Sequence, residues 1–321
     1  MTITLALAGD TMFGRGVAHR LLSHGPRSVA STEVRDLAAE ADLFLLNLEC
    51  CISERGRPWP DPGKPFFFRA PPIAAESLTW LGVDLVTLAN NHALDFGDEA
   101  LRDTLKYLGR AGVGAVGAGR DLAHARAPAV FEVRGVRLGV LGVTDHPADF
   151  AASPHASGVA FADLRAGVPA WLRETVKRLS HKVDVTVVLP HWGPNMTREP
   201  VPHVRDAAHE LRSAGATLVA GHSAHVFHGI ELGVCYDLGD FVDDYAVHPE
   251  LRNDLGLLFL VTLDEGGPRE MSAVPLALDF CHTRLATGDE HAAIRQRFVA
   301  SCRKLGTDVT DEDGRLVVRW R

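Results

Sequence analysis

The stretch that decides the reading is Leu5-Ala6-Leu7-Ala8-Gly9-Asp10, an apolar run that stops at once on a carboxylate. The same arrangement recurs along the chain. Leu43-Phe44-Leu45-Leu46 runs into Asn47-Leu48-Glu49, and Val83 to Ala89 runs into Asn90-Asn91-His92. Val185 to Pro190 leads to His191-Trp192-Gly193, and Leu218-Val219-Ala220 leads to Gly221-His222-Ser223-Ala224-His225. Short runs rich in Val, Leu and Ile read as buried strands of an α/β sheet. Ligands of such sheets bind beyond the carboxyl ends of the strands. The five strand ends therefore converge on one site, whose oxygen and imidazole donors suit a hard or borderline cation.

Working outward, the pattern predicts helices near Val17–Ser23, Glu33–Glu40, Ile73–Leu81 and Asp98–Ala111, the last with Leu101, Leu105 and Leu108 at helical spacing. Val130–Val133 and Val136–Val143 flank Arg134-Gly135 and read as a hairpin. Ala162–His181 reads as helical, with Asp163 as a possible N-cap and a break at Pro169. Further strands are expected at Val113–Val116, Val234–Leu238, Leu257–Leu263, Val274–Phe280 and Leu316–Trp320, and helices at Val204–Ala214 and Glu290–Leu305. Gly56 to Pro72 is too rich in Pro and Gly for a regular element, and reads equally as a wall of the site or a plain surface loop. Parallel units early and antiparallel pairs late predict a mixed sheet system in one domain over residues 1–321, with 250–321 completing or extending it.

With 321 residues and 46% hydrophobic composition, the chain can bury a large core. Its net charge of −8 and the lack of a basic run argue against a nucleic-acid partner. Five cysteines without a CxxC motif fit free thiols in a reducing compartment, and Cys50-Cys51 read as buried thiols in preference to soft-metal ligands. No signal peptide or run of about 18 apolar residues is evident, so the expectation is a cytoplasmic chain without a membrane span.

The two histidines of His222-Ser223-Ala224-His225 sit three apart after a strand and are best read as metal ligands. In Asn90-Asn91-His92, Asn91 offers an oxygen to a metal, while His92 is the candidate general acid with Asp95 placed to orient it. Arg15 is a candidate for gripping an anionic substrate, as is Arg198, and Trp192 is a candidate substrate contact.

Together, Gly9-Asp10, Asn47-Leu48-Glu49, Leu88-Ala89-Asn90-Asn91-His92 with Asp95-Phe96-Gly97, His191-Trp192-Gly193, and Gly221 to His225 with Gly229-Ile230-Glu231 resemble the CapA/PgsA poly-γ-glutamate capsule-synthesis family. That family is similar to the calcineurin-like metallophosphoesterases. The resemblance implies a four-layer α/β/β/α sandwich with a metal centre at one rim of its sheets. It implies that Asp10 and His225 hold one metal, that Asn91, His191 and His222 hold another, and that Glu49 takes the bridging place. One or two divalent ions (Mn, Fe or Zn) would then generate a metal-bound hydroxide for attack on a phosphoester, with His92 as general acid. The resemblance equally implies an accessory or processing role on a γ-glutamyl polymer, or a catalytically weak binding protein on the same fold. The partner in each case is an anionic small molecule or polymer.

Three departures accompany the resemblance. Phosphoesterases carry His two residues after the first Asp, where this chain has Met12. Asn47-Leu48-Glu49 replaces a paired-Asp motif. Leu238-Gly239-Asp240-Phe241 stands where the family commonly shows Leu-Gly-Asn-Phe, so that Asp240 either adds a carboxylate to the site or caps a turn.

Overall fold

The computed structural model describes residues 1–320. Its first strand, Ile3–Thr11, shows how the layers arise. Ile3, Leu5 and Leu7 point to one side and Ala6 and Ala8 to the other, the period of two that a strand imposes. The odd set packs between two sheets, and the even set packs under helices.

The larger sheet has ten strands and is mixed. Ile3–Thr11 pairs in parallel with Leu43–Leu48, which continues through Leu85–Thr87 to Gly114–Val116. On its other side it pairs antiparallel with Leu255–Asp264, and that strand pairs antiparallel with Gly267–Asp279. Residues after 250 therefore build the same sheet as the N-terminal strand. The smaller sheet has six strands, among them Val136–Thr144, Val185–His191 and Leu218–Ala220 in parallel.

Leu5, Leu7, Leu45 and Phe259 of the larger sheet meet Leu138, Val140, Val187 and Leu218 of the smaller one in a shared core. The outer face of the larger sheet is covered by helices Arg15–His24, Thr32–Ala38, Ala74–Leu81 and Gly97–Ala111. The outer face of the smaller sheet is covered by Ala170–Ser180 and Pro202–Ser213. This is the expected α/β/β/α sandwich. Helix Gly288–Lys304, opened by a Thr287/Glu290 capping box, plugs the inter-sheet core with Ile294, Phe298 and Cys302.

Two expectations are corrected. The helix read over Ala162–His181 begins only at Ala170, because Pro169 sits at its N-cap and residues Leu164–Ala166 form a separate 3-10 turn, which Asp163 caps. The strand read over Val234–Leu238 is only Val234–Cys235, and a separate strand, Asp240–Val242, follows and joins the other sheet. The hairpin at Arg134-Gly135 forms as expected, with positive φ at both turn residues. All five cysteines are free and buried, outside the candidate metal groups. Among the described residues, no helix is long and apolar enough to cross a membrane.

His228 provides a pH test of this packing. Burial lowers its pKa to about 4, while its Nε2 donates to the Thr197 carbonyl at 2.8 Å. In the unfolded chain it would titrate near 6.5. Unfolding therefore takes up a proton between these values, and stability falls as pH drops from about 6.5 to about 4. His228→Gln, which keeps a donor for Thr197, should flatten the slope of Tm against pH in that window. An unchanged slope would show that His228 does not carry the dependence.

Candidate metal centre

The strand ends do converge. Asp10 is the penultimate residue of its strand, and His191 is the last of Val185–His191. Asn47 lies in register with Asp10, and Leu48 closes the parallel pairing opposite Thr11, which places Glu49 just beyond the strand end. His191 and His222 form an isolated bridge that ties the two loops together.

The shortest link is made by glycine. Asp10 lies in register with Asp240 of the strand Asp240–Val242, and its N–H donates to the Gly239 carbonyl at 2.8 Å. A Cβ at Gly9 would lie 1.8 Å from that carbonyl oxygen, so a side chain there would force the strands apart. Gly239 itself has φ +75. The close approach places the Asp10 and Asp240 carboxylates side by side.

His225 bridges them. Its Nδ1 lies 2.8 Å from Asp240 Oδ1, 3.3 Å from Asp10 Oδ2 and 4.0 Å from Glu49 Oε2. The loop is held under backbone strain, with φ +111 at Ser223 and +59 at His225. Buried Asp237 secures it by accepting from Ala224 N and Gly239 N, while Ser223 N donates to Asp10 Oδ2. Asp237 was not singled out in the sequence.

Donor atoms of Asp10, Glu49 and His191 lie within 4.8 Å of one another, as do those of Asp10, His225 and Asp240. Asp10 is common to both groups, and Glu49 reaches toward the second as well, with Oε2 4.0 Å from His225 Nδ1. Glu49 is completely buried, and neither of its carboxylate oxygens has a hydrogen-bond partner. His191 Nε2, both ring nitrogens of His222 and Asn91 Oδ1 are likewise buried without partners. Buried donor atoms left without partners are costly unless a cation satisfies them, and Glu49 and His191 offer theirs within 4.8 Å of Asp10. The residues fit a metal ion: carboxylate, amide and imidazole donors in the mixture that Mn, Fe or Zn accepts.

Electrostatics agree. Burial and the neighbouring Asp10 push Glu49 well above the ordinary carboxylate range. Burial does the same to Asp240. Burial opposes a charge on His225, but the carboxylates of Asp240 and Glu49 outweigh it and hold its pKa well above the usual value. Two causes act together here, burial of the carboxylates and their closeness to one another.

Beside the ligands stands an acid–base pair. His92 Nδ1 lies 2.7 Å from Asp95 Oδ2, and Nε2 lies 3.9 Å from Glu49 Oε1. Asp95 is fixed in turn by the Phe68 N–H at 2.5 Å and by Lys64 Nζ at 3.0 Å, and Lys64 also donates to the Asn91 carbonyl at 2.7 Å. His92 stacks on Phe68 at 4.0 Å between ring centroids. Burial lowers the pKa of His92 to about 4, against the opposing pull of Asp95. The Gly56–Pro72 segment thus supplies Lys64 and Phe68 as a wall of the site. Neighbouring Asn90 is structural: its side chain bonds Asn47, the Leu48 carbonyl and His92 N.

A cavity of about 520 Å³ opens onto His92 and His225, lined also by Arg15, Phe66, Phe68 and Tyr245. Arg15 borders it as expected, but its guanidinium pairs with Asp244 and lies 4.8 Å over the Phe68 ring, so its charge is already matched. Trp192 is corrected: it is buried under the smaller sheet, with Nε1 donating to the Tyr236 carbonyl at 2.9 Å, and does not face the cavity. Arg198 pairs with Glu250 and lines a different depression.

Residues 4–245 match the model of the bacterial capsule synthesis protein family PGA_cap. The chain belongs to that family. It is 29% identical to a probable polyglutamine synthesis accessory protein of Mycobacterium tuberculosis, over 98% of this chain and 95% of that protein. It is 28% identical to the PGA biosynthesis protein CapA of Bacillus subtilis, over 75% of this chain and 63% of that one. With the capsule biosynthesis protein CapA of Bacillus anthracis it shares 27% identity, over 84% and 70%.

If the orphaned atoms await a cation, replacing Glu49 by Gln should raise the Tm of chelator-stripped protein by removing a buried acid short of partners. It should also shrink the rise in Tm on adding Mn²⁺, which for one site at a hundredfold excess over Kd is worth about 2.7 kcal/mol. An unaltered Mn²⁺-induced rise would remove Glu49 from the ligand set.

Proposed function

We propose that this chain is a metal-dependent hydrolase of anionic substrates, most directly phosphoesters. The observation that carries the reading is the buried, unpartnered Glu49 carboxylate beside Asp10, His191 and His225, with the His92–Asp95 pair 3.9 Å away. Asp10, Glu49, His225, Asn91, His191 and His222 would hold one or two divalent ions, which when bound supply Lewis acidity and a more acidic water.

The remaining work falls to the chain. Asp95 orients the His92 ring through Nδ1 and leaves Nε2 turned toward the ligand cluster, the geometry of a group that carries a proton to a leaving oxygen. A neutral resting imidazole follows from its burial; an anionic substrate in the cavity would favour the protonated form needed for donation. Lys64 and the Phe68 N–H keep Asp95 from swinging away. Phe66, Phe68 and Tyr245 wall the cavity and limit water around the reacting atoms.

A second reading is favoured by the relatives' names: an accessory role in making or processing a γ-glutamyl polymer. Under it the same site would act on, or bind, that polymer. The test is turnover of aryl phosphate mono- and diesters by Mn²⁺-loaded protein, alongside chain-length analysis of added poly-γ-glutamate. The phosphoesterase reading expects metal-dependent phosphate release, with His92→Ala lowering kcat by about 10²–10⁴-fold and Asp95→Asn causing a smaller loss. Shortening of the polymer without phosphate release would replace it by the second reading. Turnover indifferent to His92→Ala and His222→Ala would contradict the site assignment.

A further inference from the structure

Asp240 has two carboxylate oxygens with different fates. Oδ1 lies 2.8 Å from His225 Nδ1, whereas Oδ2 is buried and receives no N–H; the other group against this side chain is the Asp243 carboxyl, which is likewise buried with an unpartnered Oδ2. Were Asp240 only an orienting partner for His225, one oxygen would suffice, and burying the second without a partner would be an unrelieved cost. Its place is set by backbone register: opposite Asp10 on a parallel neighbouring strand, the two side chains emerge on the same side.

Met12 stands two residues after Asp10, just past the end of the same strand. Here it is fully buried in the core beneath the helices on the outer face, and its Sδ accepts from the Gly14 N–H. It offers nothing to the cluster. Donor atoms of Asp10, His225 and Asp240 nevertheless lie within 4.8 Å of one another.

We propose that Asp240 is itself a metal ligand, supplying through Oδ2 the donor that Met12 cannot, and that Asp10, His225 and Asp240 form a carboxylate-rich site for a hard divalent cation of the manganese class. The neighbouring position brings together donor atoms of Asp10, Glu49 and His191, again two carboxylates and one imidazole. The chain thus has two cation positions that share Asp10. This inference rests on the metal-centre reading and deepens it.

The test is calorimetric titration of chelator-stripped protein with Mn²⁺, with metal per chain by elemental analysis and the Mn²⁺ paramagnetic resonance spectrum as a second readout. Asp240→Asn keeps an oxygen for His225 but replaces the second oxygen by an NH₂ group that cannot ligate. Asp240→Ala removes both, and circular dichroism of each variant checks its fold. The parent should bind two ions per chain with the spectrum of a spin-coupled pair. Asp240→Asn should weaken one of the two by more than the roughly 10–100-fold that losing an orienting partner costs and lose the coupled signal. Asp240→Ala should bind one. Two ions bound by Asp240→Asn as tightly as by the parent, or with no more than that loss, would reduce Asp240 to an orienting role and overturn the proposal. One ion in both parent and variant would overturn it too. No ion in the parent would instead overturn the metal-centre reading itself. If Asp240→Ala fails to fold, the Asp240→Asn comparison alone decides.

Discussion

The structure depends on a close approach between two backbones. Asp10 N–H reaches the Gly239 carbonyl at 2.8 Å only because Gly9 has no side chain, and that contact puts the Asp10 and Asp240 carboxylates in register. Buried carboxylates repel one another and lose hydration, so the fold must supply compensation. Compensation comes from His225, which is drawn between them by a strained loop that Asp237 ties to Gly239 by accepting from Ala224 N and Gly239 N. What remains is a row of oxygens and imidazole nitrogens with no protein partner. A site of this kind makes physical sense when a cation belongs to it.

The sandwich serves this constraint. Its two sheets share one apolar core, and the candidate ligands stand where strands from both sheets end along one rim. Asp10, Asn47 and Glu49 come from the larger sheet, and His191 and His222 come from the smaller. Neither sheet holds a ligand set alone, so packing between sheets and assembly of the centre are one event. The C-terminal strands contribute at a distance: Leu255–Asp264 flanks the first strand and secures the position of Asp10 without reaching the site.

Much of this was legible in the sequence, and for a physical reason. A buried parallel strand must be apolar, and a polar residue right after it can only lie at the sheet rim, so runs such as Leu5 to Asp10 announce both strand and site. The His92–Asp95 contact was readable because short spacing keeps the two residues on one turn. What was not legible depends on contacts between distant segments. Asp240–Val242 is three residues long and behind a glycine, too short for a period to show. Lys64 lies in a segment without periodicity, and its ion pair with Asp95 is set by tertiary folding. Trp192 misled because the residue after a ligand points the opposite way, into the core under the smaller sheet. The helix over Ala162–His181 failed at Pro169, whose ring starts a helix more readily than it continues one.

The account's central claim is that these residues form a metal centre around Asp10. Its most direct test is anomalous diffraction, above and below the manganese edge, from crystals grown with Mn²⁺. The account predicts an anomalous peak between Asp10, Glu49 and His191, and another between Asp10, His225 and Asp240. Peaks elsewhere on the chain, or none near Asp10 at Mn²⁺ concentrations that saturate binding in solution, would contradict it.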